Sequence, residues 1–153
     1  MIAEASDIQY ARNIQSVVGE FLFDRNKRQT TNIEEWKEVQ LFLSKSISQL
    51  VKQAGKTPEE EGEMVLAILM GYTIAIRNSR HIELALERAE RVLPLIVNPE
   101  LKCKLMIFCY GECLNEELAE IAHRMIDRQK ESGNTAHIEY LEDLLLNFEE
   151  NAC

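Results

Sequence analysis

The chain has 153 residues, 46% of them hydrophobic, which is one domain's length with enough apolar material for a sizeable core. Its formal charge is −9, and the charge is lopsided: residues 1–55 carry seven acidic and seven basic side chains, so the whole excess lies in 56–153. An acidic surface has few cations with which to displace counterions, which disfavours direct contact with nucleic acid or anionic lipid and favours a basic protein partner.

Leu, Ala, Glu, Lys and Arg dominate and β-branched residues form no alternating runs, so helix is expected throughout. Ser6 is placed to cap a first helix from about Asp7 to Phe23, with Ile8, Ala11, Val18 and Leu22 on one face. The polar stretch from Asp24 to Thr31 reads as a connection. Asn32 and Glu35 have capping-box spacing and open a second helix, in which Trp36, Val39, Leu43, Ile47, Leu50 and Val51 form the inner stripe. Gly55 is the expected stop. In Thr57-Pro58-Glu59-Glu60, threonine caps a third helix, proline presets its first φ, and Glu60 closes a box; Glu59 to Glu61 also complement the helix dipole. The run Met64 to Ile76 is apolar on every face, which predicts a helix through the middle of a bundle ended by Arg77-Asn78-Ser79.

A fourth helix starts near Ser79 or Arg80, with Ile82, Ala85, Leu86, Ala89 and Leu93 inward, and Pro94 should end or kink it. Asn98-Pro99 opens a fifth, with Leu101, Leu105, Phe108 and Cys109 inward and Met106, Ile107 and Tyr110 widening the stripe; Gly111 is suited to a left-handed cap. Asn115 caps a sixth through Leu118, Ala122, Met125 and Ile126. After Ser132-Gly133-Asn134, Thr135 opens a seventh with Ile138, Leu141, Leu144, Leu145 and Phe148. The expectation is an all-α, compact bundle of about seven mostly antiparallel helices in one domain, 1–153, with the third and fifth helices central. Its neutral part, 1–55, contributes two helices and the acidic body spans 56–153. The paired helices 57–93 and 99–130 lack the tetratricopeptide signature residues, so no repeat array is expected.

The first residues lack the basic start and apolar stretch of an export signal, and the thirteen-residue run Met64 to Ile76 is too short to span a bilayer. A cytoplasmic protein is expected, with Cys103, Cys109, Cys113 and Cys153 as reduced thiols. Neither a phosphate-cradling glycine loop nor a nucleophile elbow occurs. The three histidines, His81, His123 and His137, lack a His or Cys partner at four-residue spacing, and Cys103 and Cys109 lie in an apolar helix, where thiols act as small hydrophobes. Glu112 and Glu116 would raise a nearby thiol's pKa, against a cysteine nucleophile. A di-metal site needs two Glu-x-x-His spacings, and only Glu120 to His123 has one. No metal, no cofactor and no enzyme are expected.

From Gly55 onward the sequence resembles the UpxZ family. Gly55-Lys56-Thr57-Pro58-Glu59-Glu60-Glu61 and Leu66-Ala67-Ile68-Leu69-Met70-Gly71-Tyr72 carry the likeness. It resumes at Leu101-Lys102-Cys103-Lys104-Leu105 and Cys109-Tyr110-Gly111-Glu112. It continues through Asn115-Glu116-Glu117-Leu118-Ala119-Glu120, Ala122-His123 and Ile126-Asp127, and closes on Glu149-Glu150-Asn151. Order and spacing agree over roughly two-thirds of the chain, and the first 54 residues match only loosely. The resemblance implies control of capsular polysaccharide synthesis in Bacteroides-type bacteria. In that family each capsule operon encodes a NusG-like antiterminator, UpxY, and UpxZ-type proteins oppose the antiterminators of other capsule operons. Inhibition by protein contact, with RNA polymerase involved indirectly at most, is what this implies. A helical adaptor or inhibitor with a partner outside transcription is the alternative.

Two sets of residues are candidates for the contact. Tyr72 and Tyr110 each stand beside a glycine on an apolar helix: they are either core rings at close helix crossings or aromatic anchors at an interface. Glu112, Glu116, Glu117 and Glu120 form either an acidic contact rim or a solvated, dipole-matched helix face.

Overall fold

Short polar side chains start the helices as the sequence implies. In the computed structural model, which describes residues 7–23, 29–113, 115–131 and 138–150, seven helices of 13 to 19 residues are present among the described residues. They are α1 Asp7–Phe23, α2 Ile33–Val51, α3 Pro58–Gly71, α4 Ser79–Val92, α5 Pro99–Cys113, α6 Glu116–Glu131 and α7 Ile138–Glu150. Ser6, residues 24–28 of the first connection, residues 132–135 before α7, His137, Asn151, Cys153 and the side chain of Leu22 lie outside what is described.

Each cap satisfies a backbone donor that the first turn of a helix leaves orphaned. Asn32 accepts from the Glu35 amide at 2.8 Å, Thr57 from Glu60 at 3.1 Å, Asn78 from His81 at 3.1 Å, Asn98 from Leu101 at 3.1 Å, and Asn115 from Glu117 at 3.0 Å. The boxes close differently from the sequence pattern. Glu35 accepts the Asn32 side-chain amide, and Glu60 takes the backbone N–H of Lys56, one residue before the cap. Leu93–Leu95, around Pro94, form a single 3₁₀ turn that stops α4.

Buried apolar residues place α3 and α5 at the centre, because both are covered on nearly every side. Met64 to Met70 and Leu105 to Tyr110 are continuous buried runs. α3 packs against α1, α2, α4 and α5, whereas α6 and α7 pack on α5 and on each other. The molecule is thus two helical groups joined where α3 meets α5.

Three expectations are corrected. α3 ends at Gly71, not near Ile76: the amides of Ile74 and Ala75 turn back onto the Gly71 carbonyl, and the Thr73 hydroxyl takes that of Met70 at 2.6 Å. Ile76 is left 85% exposed. Trp36 is 40% exposed, at the edge of α2's inner stripe, with its ring edge-on to Phe21. Gly111 does not cap α5. It lies within that helix, where a Cβ would meet the Phe148 ring at 3.1 Å, so glycine admits an aromatic from α7.

The acidic start of α3 does more than offset the helix dipole. Glu59 accepts the Val97 amide at 2.7 Å, fixing the loop before α5. Glu61 accepts the Gly55 amide at 2.8 Å and a two-pronged bond from Arg88 of α4 at 2.6 and 2.8 Å. Arg88 also donates to the carbonyl of Leu50, in the last turn of α2, at 3.0 Å and to that of Gln53, just past the helix, at 2.9 Å. Gly55 is needed here because a Cβ would stand 2.3 Å from the Glu61 backbone nitrogen, which cannot yield.

Burial alone would raise the Glu61 carboxyl's pKa, but the bonds from Arg88 and Gly55, with the charges of Arg88 and Arg91, hold it below its ordinary 4.5. A depressed carboxyl adds stability that is present above the unfolded value and disappears as pH falls through the folded one. Thermal melts are therefore expected to show a falling melting temperature below about pH 4.5, with a smaller fall in Glu61→Gln.

Candidate functional site

α6 owes its geometry to Asn115, whose cap puts Glu116 and Glu117 in the first turn at the positive end of the helix dipole. Ala119, Ala122 and Ile126 turn into the core, so Glu116, Glu117 and Glu120 are left exposed on the outer side. Glu112 is not part of that face. At the end of α5 it grips Arg77 through both carboxylate oxygens, one at 3.2 Å, and so ties the turn after α3 to α5.

Both candidate tyrosines are interior, 6% exposed at Tyr72 and 5% at Tyr110. The Tyr72 hydroxyl meets His81 Nδ1 at 2.6 Å, and burial pushes its pKa up. Gly71 makes the expected close crossing, since a Cβ there would stand 2.6 Å from Ile47 Cδ1 of α2.

Sequence reasoning missed a cleft of about 660 Å³ at the seam of the two helical groups. α4 and α6 flank α5 as its walls, and Met106 and Cys109 of α5 form the floor. Leu86 of α4, Leu93 of the 3₁₀ turn after it, and Leu118 and Ile121 of α6 make the sides apolar. Exposed Glu87, Glu90 and Glu117 stand around it, against one cation, Lys102. The apolar positions at i, i+3 and i+4 were visible in α4 and α6 separately; that they face each other across a gap was not. A second apolar cleft, of about 520 Å³, lies beside Phe21, Ile33, Trp36 and Ile74.

Cys103 and Cys109 are buried and Cys113 is exposed. Burial, with Glu100 nearby, pushes the Cys103 thiol up to about 11. Burial, then Cys113 and Glu112, pushes Cys109 to about 12. Since the thiolate is the nucleophile, maleimide at neutral pH is expected to modify Cys113 at least about a hundredfold faster than either buried thiol; peptide mapping after timed quenching checks this. His123 Nε2 meets Glu149 at 2.6 Å, tying α6 to α7, while Glu120 is exposed. Among the described residues no three His, Cys, Asp or Glu side chains are grouped to hold a metal, and no helix is long and apolar enough to cross a membrane.

No curated protein matches the sequence. A solved structure does: a transcription anti-terminator antagonist UpxZ from Bacteroides uniformis, 26% identical, superimposes with a TM-score of 0.82 over 97% of this chain and 95% of that one. The profile of the UpxZ family of transcription anti-terminator antagonists matches residues 12–111. The match takes in most of α1 and all of α2, where the sequence resembles the family only loosely, and ends at the glycine that receives Phe148. With a profile match over most of its length and a shared fold along nearly all of it, the chain belongs to the UpxZ family of transcription anti-terminator antagonists.

Proposed function

We propose that this protein binds UpxY-type, NusG-like antiterminators of other capsular polysaccharide operons in the bacterial cytoplasm and silences those operons by protein contact alone. The antiterminator surface that would meet polymerase or the leader transcript is covered, so polymerase is affected only through its lost cofactor. Family membership carries this reading. The charge distribution supports it, because the whole excess of −9 belongs to residues 56–153, and such a body attracts a basic protein while repelling the nucleic acid that protein would otherwise engage.

Within this proposal Glu116, Glu117 and Glu120 meet the partner directly. Glu112 holds Arg77, and Tyr72 and Tyr110 support the contact surface from the core. The test is co-purification of the tagged protein with a panel of antiterminators from different capsule loci. Retention of one or more non-cognate antiterminators, weakened by raised salt, is the expected result. Failure to retain any of them, together with direct binding to polymerase, contradicts it.

A further inference from the structure

We infer that the cleft between α4 and α6 is the docking groove, and that its occupant is an amphipathic helix of the antiterminator with basic residues flanking its apolar stripe. This rests on the function proposed above and adds where contact is made and by what kind of segment.

The shape argues for a helix. The wall made by α4 and the 3₁₀ turn after it runs from Leu86 to Pro94, about 12 Å at the helical rise of 1.5 Å per residue, or roughly two turns of an occupant presenting apolar side chains at i, i+3 or i+4, and i+7. The walls are themselves helices, whose backbone groups bond internally. They offer no open edge to which an extended peptide could add as a strand, so recognition must pass through side chains. The floor supplies the softness for this: Met106 is unbranched and polarizable, and Cys109 is small.

The charge argues for a basic occupant. Glu87 and Glu90 stand on one wall and Glu117 on the other, so carboxylates flank the apolar strip on both sides, with Lys102 the single opposing charge among the lining residues. A second copy docking through the same face would bring carboxylate against carboxylate. A helix with Lys or Arg beside its apolar stripe fits both the floor and the rim. The position also suits regulation, because the groove lies where the two helical groups meet, and its walls, α4 and α6, each pack on α5.

The test measures affinity of full-length wild type, Glu87→Lys/Glu90→Lys and Glu34→Lys/Glu38→Lys for a purified non-cognate antiterminator. All four glutamates are exposed, so both variants are expected to melt close to wild type, the α2 pair slightly lower because Glu34 lies in the first turn of its helix, and the two carry the same change in charge. Only the α4 pair should lose affinity, by at least tenfold, with the α2 pair within threefold of wild type. In a Cys153→Ser background, saturating antiterminator should also slow maleimide modification of Cys113, which lines the groove, at least fivefold. Binding that survives the α4 pair unchanged with Cys113 unprotected overturns the groove and leaves the antagonist function standing. Loss of binding confined to the α2 pair moves the contact to the α1–α2 surface. A concentration-dependent dimer that the α4 pair dissociates assigns the groove to a second copy instead. No wild-type binding to any antiterminator overturns the proposed function and this inference with it.

Discussion

Replacing Arg88 with methionine is expected to destabilise the protein by about 3–5 kcal/mol, the range for removing one partner of a buried, hydrogen-bonded ion pair. Its side chain is 11% exposed and that of Glu61 19%, so water screens the pair little. The loss is larger than one salt bridge because one guanidinium serves three groups: the Glu61 carboxylate of α3, the Leu50 carbonyl in the last turn of α2 and the Gln53 carbonyl just past it. Methionine keeps much of the packing volume but leaves a largely buried charge and two acceptors without that donor. Urea unfolding measures the change. A Glu61→Gln/Arg88→Met double variant is expected to recover part of it, since the stranded carboxylate is then gone.

Tyr110→Ala is expected to cost a further large amount, about 3–5 kcal/mol, as for other large aromatic side chains truncated in a packed core. For a chain of this length that lowers the melting temperature by roughly 10 °C. The ring is 5% exposed and belongs to the unbroken buried run of α5, so its removal leaves a cavity in the core. Exposed Glu116, Glu117 and Glu120 predict the opposite pattern. Changing all three to glutamine should leave stability within about 0.5 kcal/mol of wild type for each site while weakening inhibition. Calorimetry of both proteins beside an antiterminator-binding assay separates the two behaviours. A Tyr110→Ala protein that melts like wild type yet no longer binds would make that ring a contact residue.

The contrast between those two variants mirrors what the sequence made legible. Helix starts were readable because a cap is a local event: Asn32, Thr57-Pro58, Asn98-Pro99 and Asn115 act on amides two or three residues away. The centrality of α3 and α5 was readable because a helix apolar on all faces has to be enclosed. Helix ends were harder. Apolarity persists past Gly71 through Ile74 and Ala75, which pack as a turn, so hydropathy could not mark where the hydrogen-bond ladder stops. Gly111 shows the same ambiguity: a left-handed cap and a seat for Phe148 both call for glycine, and only the position of α7 decides.

The candidate site was readable in part. The exposed glutamates of α6 follow from its cap and its apolar spacing. Arg77 opposite Glu112 and Arg88 opposite Glu61 did not, because partners 35 and 27 residues apart are set by packing and not by local pattern. The groove was invisible for the same reason. Leu86, Met106 and Leu118 each looked like core in their own helices, and a surface appears only where α4 and α6 fail to close over α5.

The most direct measurement of antagonism by protein contact is transcription through a capsule-operon leader, reconstituted from purified polymerase and a non-cognate antiterminator, with this protein titrated in. Readthrough should fall to its level without the antiterminator, complete near one molecule of inhibitor per antiterminator, and basal transcription should not change. Readthrough that stays intact, that falls at far below stoichiometric amounts, or that falls equally when no antiterminator is present would contradict that mechanism.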